Sequence, residues 1–156
     1  MSSFLLAIAS PSAPNVDLTV LLRLGLSVLC GLAVGYNRAQ HFSHPQPNRL
    51  RMHVLVGLSA CLLVLAAGPE ADARSRVIQG IATGVGFLGA GEILVDRSGE
   101  QLAGQTPRVH GLTSAASIWF TAALGVTVAA STPVLAMAAL VLALVVLSQH
   151  AKKEAP

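Results

Sequence analysis

The chain has 156 residues, 53% of them hydrophobic and only 11% charged, with a net charge of +3. Soluble domains carry about 25% charged residues, and a chain this small must show much of its surface to water, so a mean hydropathy of +0.67 excludes an ordinary soluble globule. The sequence pI near 9.4 does not signal nucleic acid: aromatics are 4% of the chain, and the few basic residues sit between apolar runs, where they read as topology signals.

The first segment, "MSSFLLAIASPSAP", lacks a positive n-region and has a short apolar core, so it is expected to be retained rather than cleaved. Residues 1–16 read as an extracytoplasmic segment, kept apart from the first span by Pro11 and Pro14. Five apolar runs follow: residues 17–36, 53–68, 77–95, 111–130 and 133–149. Each approaches the roughly 20 residues that a spanning helix needs. The first loop carries Arg38, Arg49 and Arg51, the second Arg74 and Arg76, the third Arg97 and Arg108, and the tail over 151–156 Lys152 and Lys153. Keeping most of these cations cytoplasmic places the N-terminus outside and the C-terminus inside. The expected fold is therefore all-α, a polytopic transmembrane helix bundle of about five spans over residues 17–150. Cys30 and Cys61 each lie within an apolar run and read as small buried hydrophobes.

The third run is rich in glycine. Gly80 and Gly84 form a GxxxG pair, Gly91 continues that stripe two turns on, and Gly86 and Gly89 form a second one. Lipid tails are as apolar as leucine, so helices associate where small residues let backbones approach. Two smooth faces predict that this helix is central to the bundle. The fourth run is its expected partner, with Gly111, Ala115, Ala122 and Gly125 at helical spacings. Thr113, Ser114, Ser117 and Thr121 add hydroxyls that can bond across helices or back to their own carbonyls. A second reading has the third helix break around Gly84–Gly91, so that freed backbone groups line a polar cavity.

Charges within or beside the runs need partners. Arg23 either snorkels to the outer interface or is a buried cation bonded to a carbonyl or carboxylate of another helix. Glu92 and Asp96, at i and i+4, either sit in interfacial water, paired with Arg97 or Arg108, or hold a hydrated Mg2+ between them. Arg38, Arg51, His53 and His110 fall on one side of the membrane and can form a polar cluster there. His41 and His44 have a loose metal-like spacing in a loop. No GxSxG, HExxH or Walker loop is present, and "GVGFLG" follows no strand, so neither an enzyme nor a dinucleotide site is expected.

Three segments resemble the MgtC/SapB family of bacterial inner-membrane proteins: "RMHVLVGL" (51–58), "RVIQGIATGVGFLGAGEIL" (76–94) and "VHGLTSAASIWFTAALG" (109–125), the last including Trp119. Their order and spacing also fit, and the likeness spans roughly residues 18 to 147. The resemblance implies a multi-pass inner-membrane protein linked to growth in low magnesium, and a family member that restrains the F-type ATP synthase rather than moving magnesium. It also implies that Arg23 is a family feature. The cytosolic C-terminal domain of some members is not expected here. Where the family has Glu-Arg-Glu after the first helix, this chain has Asn37, Arg38 and Ala39, which puts a cation role of those acids in doubt. Two functional expectations follow. One is a regulatory or adaptor protein acting through small-residue helix contacts, as a homo-oligomer or on a larger membrane complex, with no cofactor. The other is an oligomeric ion or proton conductor, with Mg2+ as a candidate ion.

Overall fold

In the computed structural model, residues 18–40, 47–95 and 111–148 are described, and all of their regular structure is helical. Five helices follow one another: α1 Leu18–Gln40, α2 Pro47–Ala66, α3 Ala71–Val95, α4 Leu112–Ala130 and α5 Pro133–Ser148. Among the described residues α1, α2 and α4 are long and apolar enough to cross a membrane, while α5 is a shorter apolar helix. The reading of about five spans is met by five helices, of which three pass that test of length and hydropathy and α5 is a shorter apolar one. At 1.5 Å per residue α5 is about 24 Å long and α3 about 37 Å.

The ends follow local chemistry. Pro47 and Pro133 open α2 and α5, where the missing N–H costs nothing and the fixed φ suits a helix. After α2 the chain turns at Gly68, with φ +75°, a left-handed conformation that favours glycine. Arg74 Nε donates to the Gly68 carbonyl at 2.6 Å and ties the turn to the start of α3. α3 runs unbroken from Ala71 to Val95. The reading that it breaks at Gly84–Gly91 is therefore corrected: glycine weakens a helix without removing any of its hydrogen bonds, and a helix in lipid keeps those bonds because nothing else satisfies them.

The centre of the bundle is α4, not α3. Half of α4's apolar window is buried, against 28% in α1 and in α2, and α4 packs against each of the other four helices. Ile118, Ala122, Leu124, Val128 and Ala129 of α4 meet Cys30 and Val34 of α1, Ala60, Cys61 and Val64 of α2, Ile81 and Val85 of α3, and Ala136 and Leu140 of α5 in one core. α3 packs mainly against α4.

Candidate functional site

Successive helices run in opposite directions, so one end of the bundle gathers the last turns of α1 and α3 and the first turns of α2 and α4. Polar side chains concentrate there. Arg49 Nη2 of α2 lies 2.9 Å from Glu92 Oε1 of α3. Arg49 Nη1 donates to Ser114 Oγ of α4 at 2.7 Å, so one guanidinium ties three helices. One turn deeper, His53 is fully buried. Its Nδ1 lies 2.7 Å from the Arg49 carbonyl and its Nε2 3.0 Å from Ser117 Oγ. The Ser117 hydroxyl is also 2.7 Å from the Ser114 carbonyl, and Thr121, fully buried, donates to the Ser117 carbonyl at 2.8 Å. These hydroxyls stay satisfied in an apolar interior by bonding back along their own helix.

The proton count in this network is restrictive. A carbonyl only accepts, so Nδ1–H of His53 donates to Arg49, and Nε2 of a neutral ring must accept from Ser117. Ser117 has a single hydroxyl proton and two acceptors within reach. With a neutral ring that proton points to His53. With a charged ring Nε2 donates to Ser117, whose proton turns to Ser114. The hydroxyl rotor serves either state of the imidazole without leaving a polar atom bare.

The remaining candidates are dispersed. Arg38, in the last turn of α1, is buried and close enough to Arg49 to feel its charge. Arg51 is exposed and does not join the cluster. Asn37 Nδ2 donates to Ser148 Oγ of α5 at 3.2 Å. Thr113 faces a groove of about 690 Å³ between α4 and α5, together with Phe120 and Leu142. Trp119 is half exposed beside a smaller cavity of about 170 Å³ between α3 and α4. Asp96 and His110 lie outside the described residues, as do His41, His44, Arg97 and Arg108. Glu92 takes Arg49 as its partner. Arg23 is the inter-helix cation of the two readings: its Nη1 donates to the Ala129 carbonyl, in the last turn of α4, where carbonyls lack intrahelical partners.

The glycines divide sharply. Gly89 packs on Ala115, whose Cβ would lie 3.5 Å from a Cβ added at Gly89. Gly111, at φ +90°, abuts the Glu92 carbonyl, and a Cβ at Gly125 would land on the Gly57 carbonyl. Gly80, Gly84, Gly86 and Gly91 would meet nothing within 4 Å. The expectation that these four seat neighbouring helices is corrected for contacts within this chain. The face of α3 that meets α4 is instead Ile81, Val85 and Gly89, and each residue step turns a helix by about 100°, so the Gly80–Gly84 line points elsewhere. It borders a groove of about 490 Å³ shared with Leu55, Ser59 and Leu63 of α2.

Sequence reasoning passed over two groups. Gly31 and Gly35 of α1 form a GxxxG pair in which an added Cβ would come within 2.8 Å of Val54 Cα and 3.1 Å of Leu50 Cα, and one at Gly57 of α2 within 3.3 Å of Thr121. The spacing was visible in the sequence but less conspicuous than in the third run. Arg49 was counted only as a topology charge, and nothing local marks it as the partner of Glu92.

The sequence model of the MgtC family matches residues 24–155. Protein SrpB of Synechococcus elongatus is 42% identical over 114 residues, covering 68% of this chain and 60% of that protein. YhiD of Escherichia coli K12 is 35% identical over 112 residues, 65% of this chain and 46% of its own length. Protein MgtC of Salmonella typhimurium is 36% identical over 78 residues, 49% of this chain and 30% of that protein. The chain therefore spans less than two thirds of these relatives' own lengths. No solved structure matches. The apolar helices and the extent of the match agree in kind: the chain belongs to the MgtC family.

Proposed function

We propose that this chain is a multi-pass inner-membrane protein, N-terminus outside and C-terminus inside, that regulates another membrane component by helix contact under magnesium limitation. The observation that carries this reading is the outward glycine line of α3. Gly80, Gly84 and Gly91 have open space where a Cβ would be, and Gly80 and Gly84 border an apolar groove whose other wall is α2. Bare backbone in lipid is the surface on which a second helix gains most from close approach. The occupant is a second copy of the chain or a helix of a larger complex, with the F-type ATP synthase a candidate by family resemblance. Replacing Gly84 and Gly91 together by leucine should abolish cross-linking in native membranes while leaving the folded monomer intact. Unchanged cross-linking would exclude the reading.

A second reading, an oligomeric ion or proton conductor, is favoured by the polar file Arg49–Glu92, His53, Ser117 and Thr121 entering the bundle from one end. The name of YhiD ascribes magnesium transport to that relative provisionally. Flux of Mg2+ or H+ into proteoliposomes that falls in Glu92→Gln would favour this reading, and flux indifferent to Glu92 would remove it.

A further inference from the structure

We infer that Arg38 anchors a phosphate oxyanion at the polar end of the bundle. The inference is independent of the helix-contact reading above. Arg38 is 7% exposed, and its Nε is buried with no hydrogen-bond partner among the described residues. A guanidinium keeps its charge inside a protein, and a buried charge is stable only when paired and hydrogen-bonded. The described residues do not supply the counter-charge. Their acids are Glu70, Asp72 and Glu92. Glu70 and Asp72 are exposed at the opposite end of α3, and Glu92 is held by Arg49. Among the described residues at the Arg38 end, three arginines, Arg38, Arg49 and Arg51, therefore stand against a single carboxylate. Arg49 is also near enough to act on Arg38 through its charge, which makes the deficit local.

Helix packing enforces this placement. Gly35, one turn before Arg38, fits against Leu50 and His53 so closely that an added Cβ would lie 3.1 Å from Leu50 Cα. α1 cannot move away there without opening its seam with α2, so Arg38 is held beside the first turns of α2. The buried Nε of Arg38 is not bonded to a carbonyl at the end of its own helix. The planar fork of arginine matches a tetrahedral oxyanion through two parallel N–H groups. At a membrane boundary the abundant groups of that kind are phosphates, and they reach this position either as the headgroup of an anionic phospholipid or as free inorganic phosphate.

The test uses the full chain purified from membranes containing phosphatidylglycerol and phosphatidylcholine. Native mass spectrometry should show selective retention of phosphatidylglycerol, reduced by about tenfold or more in Arg38→Gln, as truncation of a buried charge contact does. Arg38→Lys should retain more than Arg38→Gln, and Arg51→Gln, at an exposed site, should match the wild type. Thermal unfolding in inorganic phosphate against chloride at equal ionic strength separates the sources. Stabilisation by phosphate that Arg38→Gln loses assigns the site to the free anion, and lipid retention without it assigns the site to the headgroup. Absence of both effects in the wild type overturns the inference, as does equal binding by Arg38→Gln. Should Arg38→Gln fail to fold, the wild-type arms and Arg38→Lys decide. Binding that appears only when Asp96→Asn and Glu100→Gln are combined also overturns it, because a carboxylate of this chain would then be the native occupant.

Discussion

Two glycine-bearing seams in this protein have the same spacing and opposite surroundings. In α1, Gly31 and Gly35 admit the backbone of α2, and Gly57 and Gly125 bring α2 against α4. In α3, Gly80 and Gly84 repeat the same four-residue interval and touch nothing. A small-residue interval therefore identifies a surface capable of close approach, not the surface that occupies it. What separates the two is the neighbouring polar chemistry. The first seam is flanked by Ser27, His53 and Thr121, each needing a partner inside the bundle. The α3 line is flanked by Phe87 and Leu88, which tolerate lipid, and by Gln79 and Thr83, which bond within their own helix.

Substitutions can break or sharpen this contrast. The largest loss of stability is expected for Gly125→Leu, whose Cβ alone would collide with the Gly57 carbonyl and press on Ala60. Overpacking of this kind costs about 1–3 kcal/mol, and backbone contact places it at or above the upper end. Thermal unfolding in detergent against the wild type measures it. Arg49→Gln comes next. It leaves the Glu92 carboxylate without its guanidinium and removes the tie to Ser114. With the pair 12% and 22% exposed, about 1–2 kcal/mol is expected, between the surface and buried limits. Combining Arg49→Met with Glu92→Leu should recover most of that loss, which a double-mutant cycle reads directly. The smallest effect, of opposite sign, belongs to Gly84→Ala. With open space at its Cβ position, alanine should raise monomer stability by up to about 1 kcal/mol through backbone entropy. If Gly84→Ala destabilises an isolated monomer, the α3 line is not open and the contrast fails.

Much of the fold was legible because lipid demands long apolar runs and proline and glycine punctuate them. The fourth and fifth runs match α4 and α5 within a residue or two at each end. The second run was placed to begin at His53, whereas α2 begins at Pro47. Its first turns are polar, so hydropathy hides them, but they are the turns that carry Arg49. Candidate residues at the polar end were named in part, since Arg38, His53, Glu92, Ser114 and Ser117 each stand out as polar groups beside apolar runs. Their pairing was not legible, because Arg49 meets Glu92 through tertiary packing and no interval in the chain encodes it. The central helix was misjudged for a related reason. Glycine density does not measure packing here, because α4 achieves its contacts with Ser, Ala, Thr and Val around a single close glycine.

The contact between Arg23 and the Ala129 carbonyl bears on biogenesis. The ribosome delivers the guanidinium of α1 before its acceptor in α4, so α1, α2 and α3 are made while Arg23 still lacks this partner. Until α4 arrives, that charge must be sheltered by the insertion machinery or by water. A chain truncated before α4 would therefore leave three helices, with Arg23 deprived of the Ala129 carbonyl.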